Sequence, residues 1–270
     1  MSEGETLRTA QPLAWLYHRN TCRWIFNTPD PGDDLHPPQP GREDPSAPAT
    51  SVGASAPDGL RRLLERRASC RAFKDVSMTL DQLGSILHAA YGIVDVSELG
   101  ALEFAERPVP SGGGLYPLEL YVIALRVDGL PPGVYHYAPV VRLLEQLREG
   151  PVPRALVTYL FMGQGYLTNS SAVVVTTAVW ERSLAKYGDR GYRYVLFEAG
   201  HVAQNLGLAA VALGLGALNL GGFFDDELAG LLTLDVEEEM PLYATALGVP
   251  TSDAKQEQRA VFFPTDMLEP

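Results

Sequence analysis

The sequence predicts an α+β fold, and three observations carry that expectation. Helical and extended patterns are interleaved along the 270 residues without the strict strand–helix–strand alternation of a doubly wound sheet. Ser171 to Trp180 (SAVVVTTAVW) is an apolar, β-branched run of strand length. Arg190 to Leu213 keeps a helical pattern far too long for a strand.

The remaining elements follow in chain order. Leu13 to Phe26 (LAWLYHRNTCRWIF) reads as a short aromatic helix packed on the body. Asn27 to Pro57 is rich in Pro, Gly, Ser and Asp and reads as a loop or linker. The chain thus divides into an N-terminal segment with a Pro-rich linker, 1–57, and a folded unit, 58–270. Asp58 is placed to cap a helix through Leu60, Leu63 and Leu64 to about Arg67. Thr79 caps a second helix, with Leu80, Leu83, Ile86, Leu87 and Ala90 on one face and Gly92 at its end. Leu118 to Val127 is a strand, and Gly133 to Tyr137 with Val141 to Leu147 forms a hairpin. Ala155 to Phe161 is a short helix and Ala217 to Leu220 a short strand. Asp225 to Leu232 is a helix whose first-turn acids suit the helix dipole. Leu242 to Val249 is the final strand.

Composition limits what this chain does. A hydrophobic fraction of 46% and a charged fraction of 20% are ordinary for a protein with a sizeable core. A formal net charge of −12 argues against nucleic acid or an anionic membrane as partner, because phosphates select basic faces. Cys22 and Cys70 are expected to be reduced thiols, and no Cys-x-x-Cys or Cys/His spacing suggests a metal site. The polar N-terminus lacks a secretory signal pattern, so the expected location is the cytoplasm. Val195 to Phe224 is the most apolar stretch, but Glu198, His201, Gln204 and Asn205 make it a buried helix and strand, not a membrane span.

Four constellations carry candidate chemistry. Arg66-Arg67-Ala68-Ser69-Cys70-Arg71 leaves a helix end with guanidiniums and a hydroxyl that can converge on one phosphate. A solvated, dipole-complementing helix end is the alternative. Pro110-Ser111-Gly112-Gly113-Gly114-Leu115-Tyr116-Pro117 precedes a strand, and its glycines let backbone N–H groups approach a ligand. It is neither a dinucleotide fingerprint nor a P-loop, and a flexible turn is the alternative. Lys186-Tyr187, read at the start of the long helix, supplies two groups that exchange protons once their surroundings tune them. Asn219-Leu220-Gly221-Gly222 places backbone amides ahead of a helix N-terminus, where they can donate to an electron-rich ring atom. His201 reads as a satisfied core or interface histidine, and His88 and His136 stand alone in the sequence. No Gly-x-Ser-x-Gly exists to anchor a hydrolase reading.

In this order, Arg-x-Ser-x-Arg, Pro-Ser-Gly-Gly-Gly-Leu-Tyr-Pro and the late Gly-Gly turn resemble the nitroreductase-like FMN flavoprotein superfamily. The stretches PSGGGLYPLELY (110–121), GVYHYAPVVRLLEQL (133–147), KYGDRGYRYVLFEAGHVAQNLGLAA (186–210) and LAWLYHRNT (13–21) resemble its SagB-type branch of azoline dehydrogenases. The likeness runs from about Asp58 to Val249. It implies a mixed, mainly antiparallel sheet flanked by helices, in an obligate homodimer with FMN at the subunit interface. Arg67, Ala68, Ser69 and Arg71 would hold the FMN phosphate and the pyrimidine edge of the ring. Pro110, Ser111, Gly112 and Gly113 would lie against the flavin from the partner subunit, and Leu220, Gly221 and Gly222 would face its N5 region. Lys186 and Tyr187 match the catalytic pair of the azoline branch, and Lys255 or Arg259 a basic residue that also reaches the phosphate. The superfamily's usual Asn-x-Gln-Pro wording is replaced by Gly-Gly-Leu-Tyr-Pro, which favours azoline oxidation over nitro-group reduction.

The implied reaction converts a thiazoline or oxazoline to an azole in a peptide natural-product pathway. The implied partners are a peptide or carrier-bound substrate and a cyclase or other pathway enzyme. Two other readings stay open at this point: a different flavin reaction, such as nitro, quinone or ene reduction or desaturation, and a catalytically silent scaffold.

Overall fold

A computed structural model describes residues 12–22, 57–99 and 102–251. The first helix, α1 (Pro12–Thr21), is followed by α2 (Asp58–Arg66). Asp58 is not the cap of α2. Pro57 holds that position without a side-chain bond, and Asp58 instead pairs with Arg61 one turn on, at 2.9 Å. Thr79 does cap α3 (Leu80–Tyr91): its hydroxyl accepts from the Gln82 N–H at 3.1 Å, and the Gln82 side chain accepts from the Thr79 N–H at 2.9 Å. Gly92 ends that helix.

The strands are β1 (Met78–Thr79), β2 (Asp95–Leu99), β3 (Leu102–Glu106), β4 (Leu118–Ala124), β5 (Val127–Asp128), β6 (Gly133–Ala138), β7 (Leu143–Glu149), β8 (Ala172–Val179), β9 (Gly216–Leu220) and β10 (Glu239–Gly248). Six of them form the central sheet in the order β7-β6-β4-β8-β10-β9, antiparallel at every pairing. The expected strand from Leu118 to Val127 is thus two pieces. After Ala124 the chain turns, and Val127 pairs in parallel with Met78 in a small separate ribbon. The β2–β3 hairpin, which lacks the apolar alternation of a half-buried strand, was not foreseen. Pro241 sits inside β10, where it donates no ladder bond, and the register shifts beside it.

The sheet is buried on both faces, and side-chain alternation assigns each face its helices. Leu118, Leu120 and Val122 of β4 and Val174 of β8 join the cluster that holds Leu83, Ile86 and Leu87 of α3. Val195, Val202 and Leu206 of α6 (Arg190–Ala212) belong to the same cluster. Tyr121, Ile123, Val173 and Val175 face the opposite way. They pack with Val157 and Leu160 of α4 (Arg154–Leu160) and with Leu228 and Leu231 of α7 (Asp225–Leu232). The predicted helices over 155–161, 190–213 and 225–232 therefore stand, each to within a residue or two.

One helix was not foreseen. Trp180–Tyr187 forms a separate element, α5, that buries Trp180, Ser183 and Leu184 and ends at Gly188 with a positive φ of 54°. Gly191 lets α6 start close against it, since a Cβ there would stand 2.9 Å from the Ser183 carbonyl oxygen. Lys186 and Tyr187 accordingly lie in the last turn of α5, not at the start of the long helix. α1 is pinned to this corner. The Ala14 N–H donates to Asp189 at 2.9 Å, and the Trp180 and Tyr192 rings stack 5.1 Å apart beside His18. No helix among the described residues is long and apolar enough to cross a membrane.

Candidate active site

The first group of predicted residues surrounds β9. Arg67 closes α2, and its aliphatic stem lies about 4 Å from where a Cβ on Gly207 of α6 would be. The chain then runs along β9: Ser69 bridges Ala217, and the Cys70 N–H donates to the Ala217 carbonyl at 2.9 Å. Ala68 is buried, while Arg71 is half-buried and close enough to Tyr166 to act on its hydroxyl. β9 ends at Leu220, and Gly221-Gly222 turns into α7. The Gln164 side chain donates to the Gly222 carbonyl at 3.2 Å, and a Cβ on Gly222 would stand 3.2 Å from the Met162 sulfur. The Arg-x-Ser-x-Arg and Gly-Gly motifs, remote from each other in the chain, are thus tied into one edge of the sheet by backbone pairing. Lys255 and Arg259 lie outside the described residues.

The second group forms around the glycine loop. Ser111 precedes a 3₁₀ turn, Gly112–Gly114, in which Gly113 and Gly114 take φ of 68° and 67°. Only glycine takes this conformation freely. The Ser111 hydroxyl accepts from the Tyr116 N–H at 2.9 Å, while Pro110 is exposed. A Cβ at Gly113 would lie 2.5 Å from the Tyr187 hydroxyl and 2.8 Å from Lys186 Nζ. One at Gly112 would lie 3.3 Å from Tyr194. The missing side chains therefore make the space into which the Lys-Tyr pair reaches. Tyr187 is half-buried, held edge-on by Tyr194 at 5.0 Å, and Lys186 is exposed with Nζ 5.3 Å from the Tyr187 ring centroid.

Beneath the loop lies a polar network that the sequence reading missed. Glu198, 2% exposed on α6, accepts from the Tyr91 hydroxyl at 2.6 Å, and that hydroxyl accepts in turn from the Leu118 N–H at 3.2 Å. Burial pushes the Glu198 carboxyl above its ordinary range, against opposing hydrogen bonds from Ser111 and Tyr91. Arg107 lies 4.2 Å over the Tyr91 ring and donates to the Tyr91 carbonyl at 2.9 Å. Its own N–H donates to the Tyr116 hydroxyl at 3.2 Å. The glycine loop is therefore held from α3 and α6 together. The only hint in the sequence was a lone carboxylate on the apolar side of a helix.

The histidines also differ from expectation. His201 is exposed in the single chain, which removes the core half of its expected role and leaves the interface half untested. His136 is not isolated in space: Glu119 stands 2.9 Å from one ring nitrogen and Glu145 3.1 Å from the other. The hydrogen bond to Glu119, then that to Glu145, raises His136 above its ordinary 6.5 against the cost of burial. A raised value means the pairing stabilises fully below about pH 6.5 and is lost as pH climbs through the folded-state value. H136Q should therefore cost about 0.5–1 kcal/mol near pH 5.5 and less near pH 8.5. Urea unfolding at the two pH values measures this, and an equal loss at both would remove the charge from the explanation.

The comparisons with known proteins agree with this architecture. The profile of the nitroreductase family matches residues 64–249. A protein of Methanocaldococcus jannaschii named as a nitroreductase, MJ1384, is 37% identical over 193 residues, covering 70% of this chain and 90% of its own. The microcin B17-processing protein McbC of Escherichia coli is 33% identical over 53% of this chain and 54% of its own length. This chain thus spans about half of McbC. Among solved structures, the E. coli microcin synthetase McbBCD complex with truncated pro-MccB17 contains a chain that superposes with a TM-score of 0.62. The two are 27% identical over 78% of this chain and 79% of that one. Motif order, antiparallel sheet and these likenesses lead to one assignment: the chain belongs to the nitroreductase family of flavoprotein oxidoreductases.

Proposed function

We propose that this chain is an FMN-dependent dehydrogenase that oxidises thiazoline or oxazoline rings of a modified peptide to azoles, with dioxygen as final electron acceptor. The observation that carries this reading is the convergence of Lys186 and Tyr187 on the side-chain-free Gly113. A general base must stand within hydrogen-bond reach of the proton it takes, and here two candidates project into one recess. The names of McbC and of the trifolitoxin-processing protein TfxB of Rhizobium leguminosarum, 29% identical over 58% of this chain, support a peptide-maturing role. The McbBCD likeness supports a cyclase or other pathway enzyme as partner.

The residues present fit FMN. Arg67, Ser69 and Arg71 bring two cations and a hydroxyl to one edge of β9, suited to a phosphate. Gly221 leaves exposed backbone beyond the end of β9, suited to the close approach of a flat ring, while Gly222 is half-buried against Met162 and Gln164. Aromatising one azoline removes two electrons and two protons; FMN, when bound, supplies the acceptor for the hydride. Lys186 or Tyr187 takes the acidic proton next to the carbonyl, and the Glu198–Tyr91–Ser111 network keeps the loop in place while it does so.

A homodimer completes this site. Gly112 meets α6 at Tyr194 and Arg67 meets it at Gly207, thirteen residues apart, which is about 20 Å of helix. A second copy that lays its glycine loop beside the first copy's β9 edge brings the halves together. Leu60 and Leu64 of α2 and Phe197 of α6 leave large apolar side chains exposed for such a contact.

The test is an absorption spectrum of the purified protein with added FMN, followed by mass spectrometry of an azoline peptide incubated with it in air. Loss of the mass of two hydrogens per ring supports the reading. A flavin-loaded protein that spares azolines and reduces nitroaromatics with NAD(P)H overturns the substrate class. A chain that binds no FMN overturns the enzyme reading and leaves a scaffold.

A further inference from the structure

We propose that His18, Cys22 and Asp225 form a zinc site that fastens α1 to the N-terminus of α7. One ring nitrogen of His18, the Cys22 sulfur and one Asp225 carboxylate oxygen lie within 4.8 Å of one another. All three residues are buried, at 5%, 2% and 8% exposure. His18 and Cys22 share a face of α1, whose hydrogen bonding continues one residue past Thr21 through the Cys22 N–H to the His18 carbonyl at 3.1 Å. Asp225 opens α7, and the Arg19–Asp226 pair, at 2.6 and 3.0 Å, locks the two helices together beside it.

A second observation points to a ligand. His18 Nε2 is buried and has no hydrogen-bond partner among the described residues, whereas Nδ1 bonds the Tyr192 hydroxyl at 2.9 Å. That is the usual arrangement of a ligating histidine: one nitrogen oriented by a neighbour, the other left for a metal. Buried polar atoms without partners are rare enough to require a reason.

The donor set is an imidazole, a thiol and a carboxylate, the ligand types that zinc takes in their deprotonated forms. On binding, the zinc–sulfur bond forms, the sulfur–hydrogen bond breaks and one proton is released to solvent, with no change of oxidation state. One thiolate and one carboxylate then balance the dication. A thiolate with an imidazole favours zinc over magnesium or calcium, which prefer all-oxygen sites. A cavity of about 230 Å³ lined in part by His18, Tyr192 and Asp225 leaves room for water as fourth ligand. The sequence scan missed the site because its third member is remote and it contains a single cysteine.

The experiment uses tag-free full-length protein, freed of metal by a chelator that is then removed. Zinc is titrated against a chromophoric competitor, and cobalt(II) is added in parallel to report thiolate coordination by its sulfur-to-metal charge-transfer band. We expect one zinc per chain and a charge-transfer band that C22S abolishes and C70S keeps. D225N should weaken zinc by more than about tenfold, the scale on which even the partners of metal ligands act. Circular dichroism checks that each variant folds; should C22S not fold, D225N and the wild-type cobalt spectrum decide. Failure of the wild-type chain to take up zinc in molar excess, or equal uptake by a folded C22S, overturns the proposal. Neither readout depends on flavin or turnover, so the outcome is separate from that of the dehydrogenase reading.

Discussion

Replacing Lys186 with Ala and Tyr187 with Phe together should lower azoline oxidation by roughly 10²–10⁴-fold while FMN stays bound, the usual contribution of positioned proton transfer. Both side chains reach the recess above Gly113, and Lys186 is exposed at the end of α5, so neither removal should disturb the core. The single variants are informative as well. If Lys186 is the base, K186A alone reproduces the double loss, and the Tyr187 hydroxyl serves to orient the lysine or the substrate. If Tyr187 is the base, Y187F does so and Lys186 acts by favouring the phenolate. The check is single-turnover oxidation of an azoline peptide beside a flavin spectrum of the same sample. A double variant with flavin bound and full activity would place the base elsewhere.

The second large effect is on the cofactor. Arg67→Ala with Arg71→Ala should weaken FMN binding by about two to four orders of magnitude, since each charge-assisted hydrogen bond to a phosphate contributes about 1.5–3 kcal/mol. Arg67 is at the end of α2, a helix without a buried residue, and Arg71 is half-buried beside Tyr166. The loss should be smaller for riboflavin, which lacks the phosphate. Fluorescence titration with both flavins separates the two cases. An equal loss for FMN and riboflavin would mean that the arginines hold the ring or the fold instead.

Local features with their causes close by in sequence were legible. The Thr79 cap and its Gln82 partner are three residues apart, and the structure contains both bonds. Ala172–Val179 is a strand because its β-branched run has neighbours on both sides to bury it. The motif residues were found by their order, and backbone pairing between Ser69 and Ala217 then explains how two of the motifs meet. What escaped was set by remote contacts. Tyr91 and Glu198 are 107 residues apart, and neither marks the other in the sequence. His136 looked isolated because Glu119 reaches it from the neighbouring strand. The break between α5 and α6 was hidden because Gly188 interrupts a stretch whose composition is helical on both sides. Asp58 failed as a cap because Pro57 already occupies that position and the aspartate is used by Arg61.

α6 has a consequence for how such a protein can change. Its 23 residues touch the glycine loop near one end and the stem of Arg67 near the other, with Glu198 between them. A helix turns about 100° per residue, so one residue inserted between Tyr194 and Gly207 would swing one contact point round the axis while the other stayed put. The helix therefore works as a ruler with a fixed phase. Loops at either end can vary in length and chemistry, whereas the count of residues between the two marks is held by both at once.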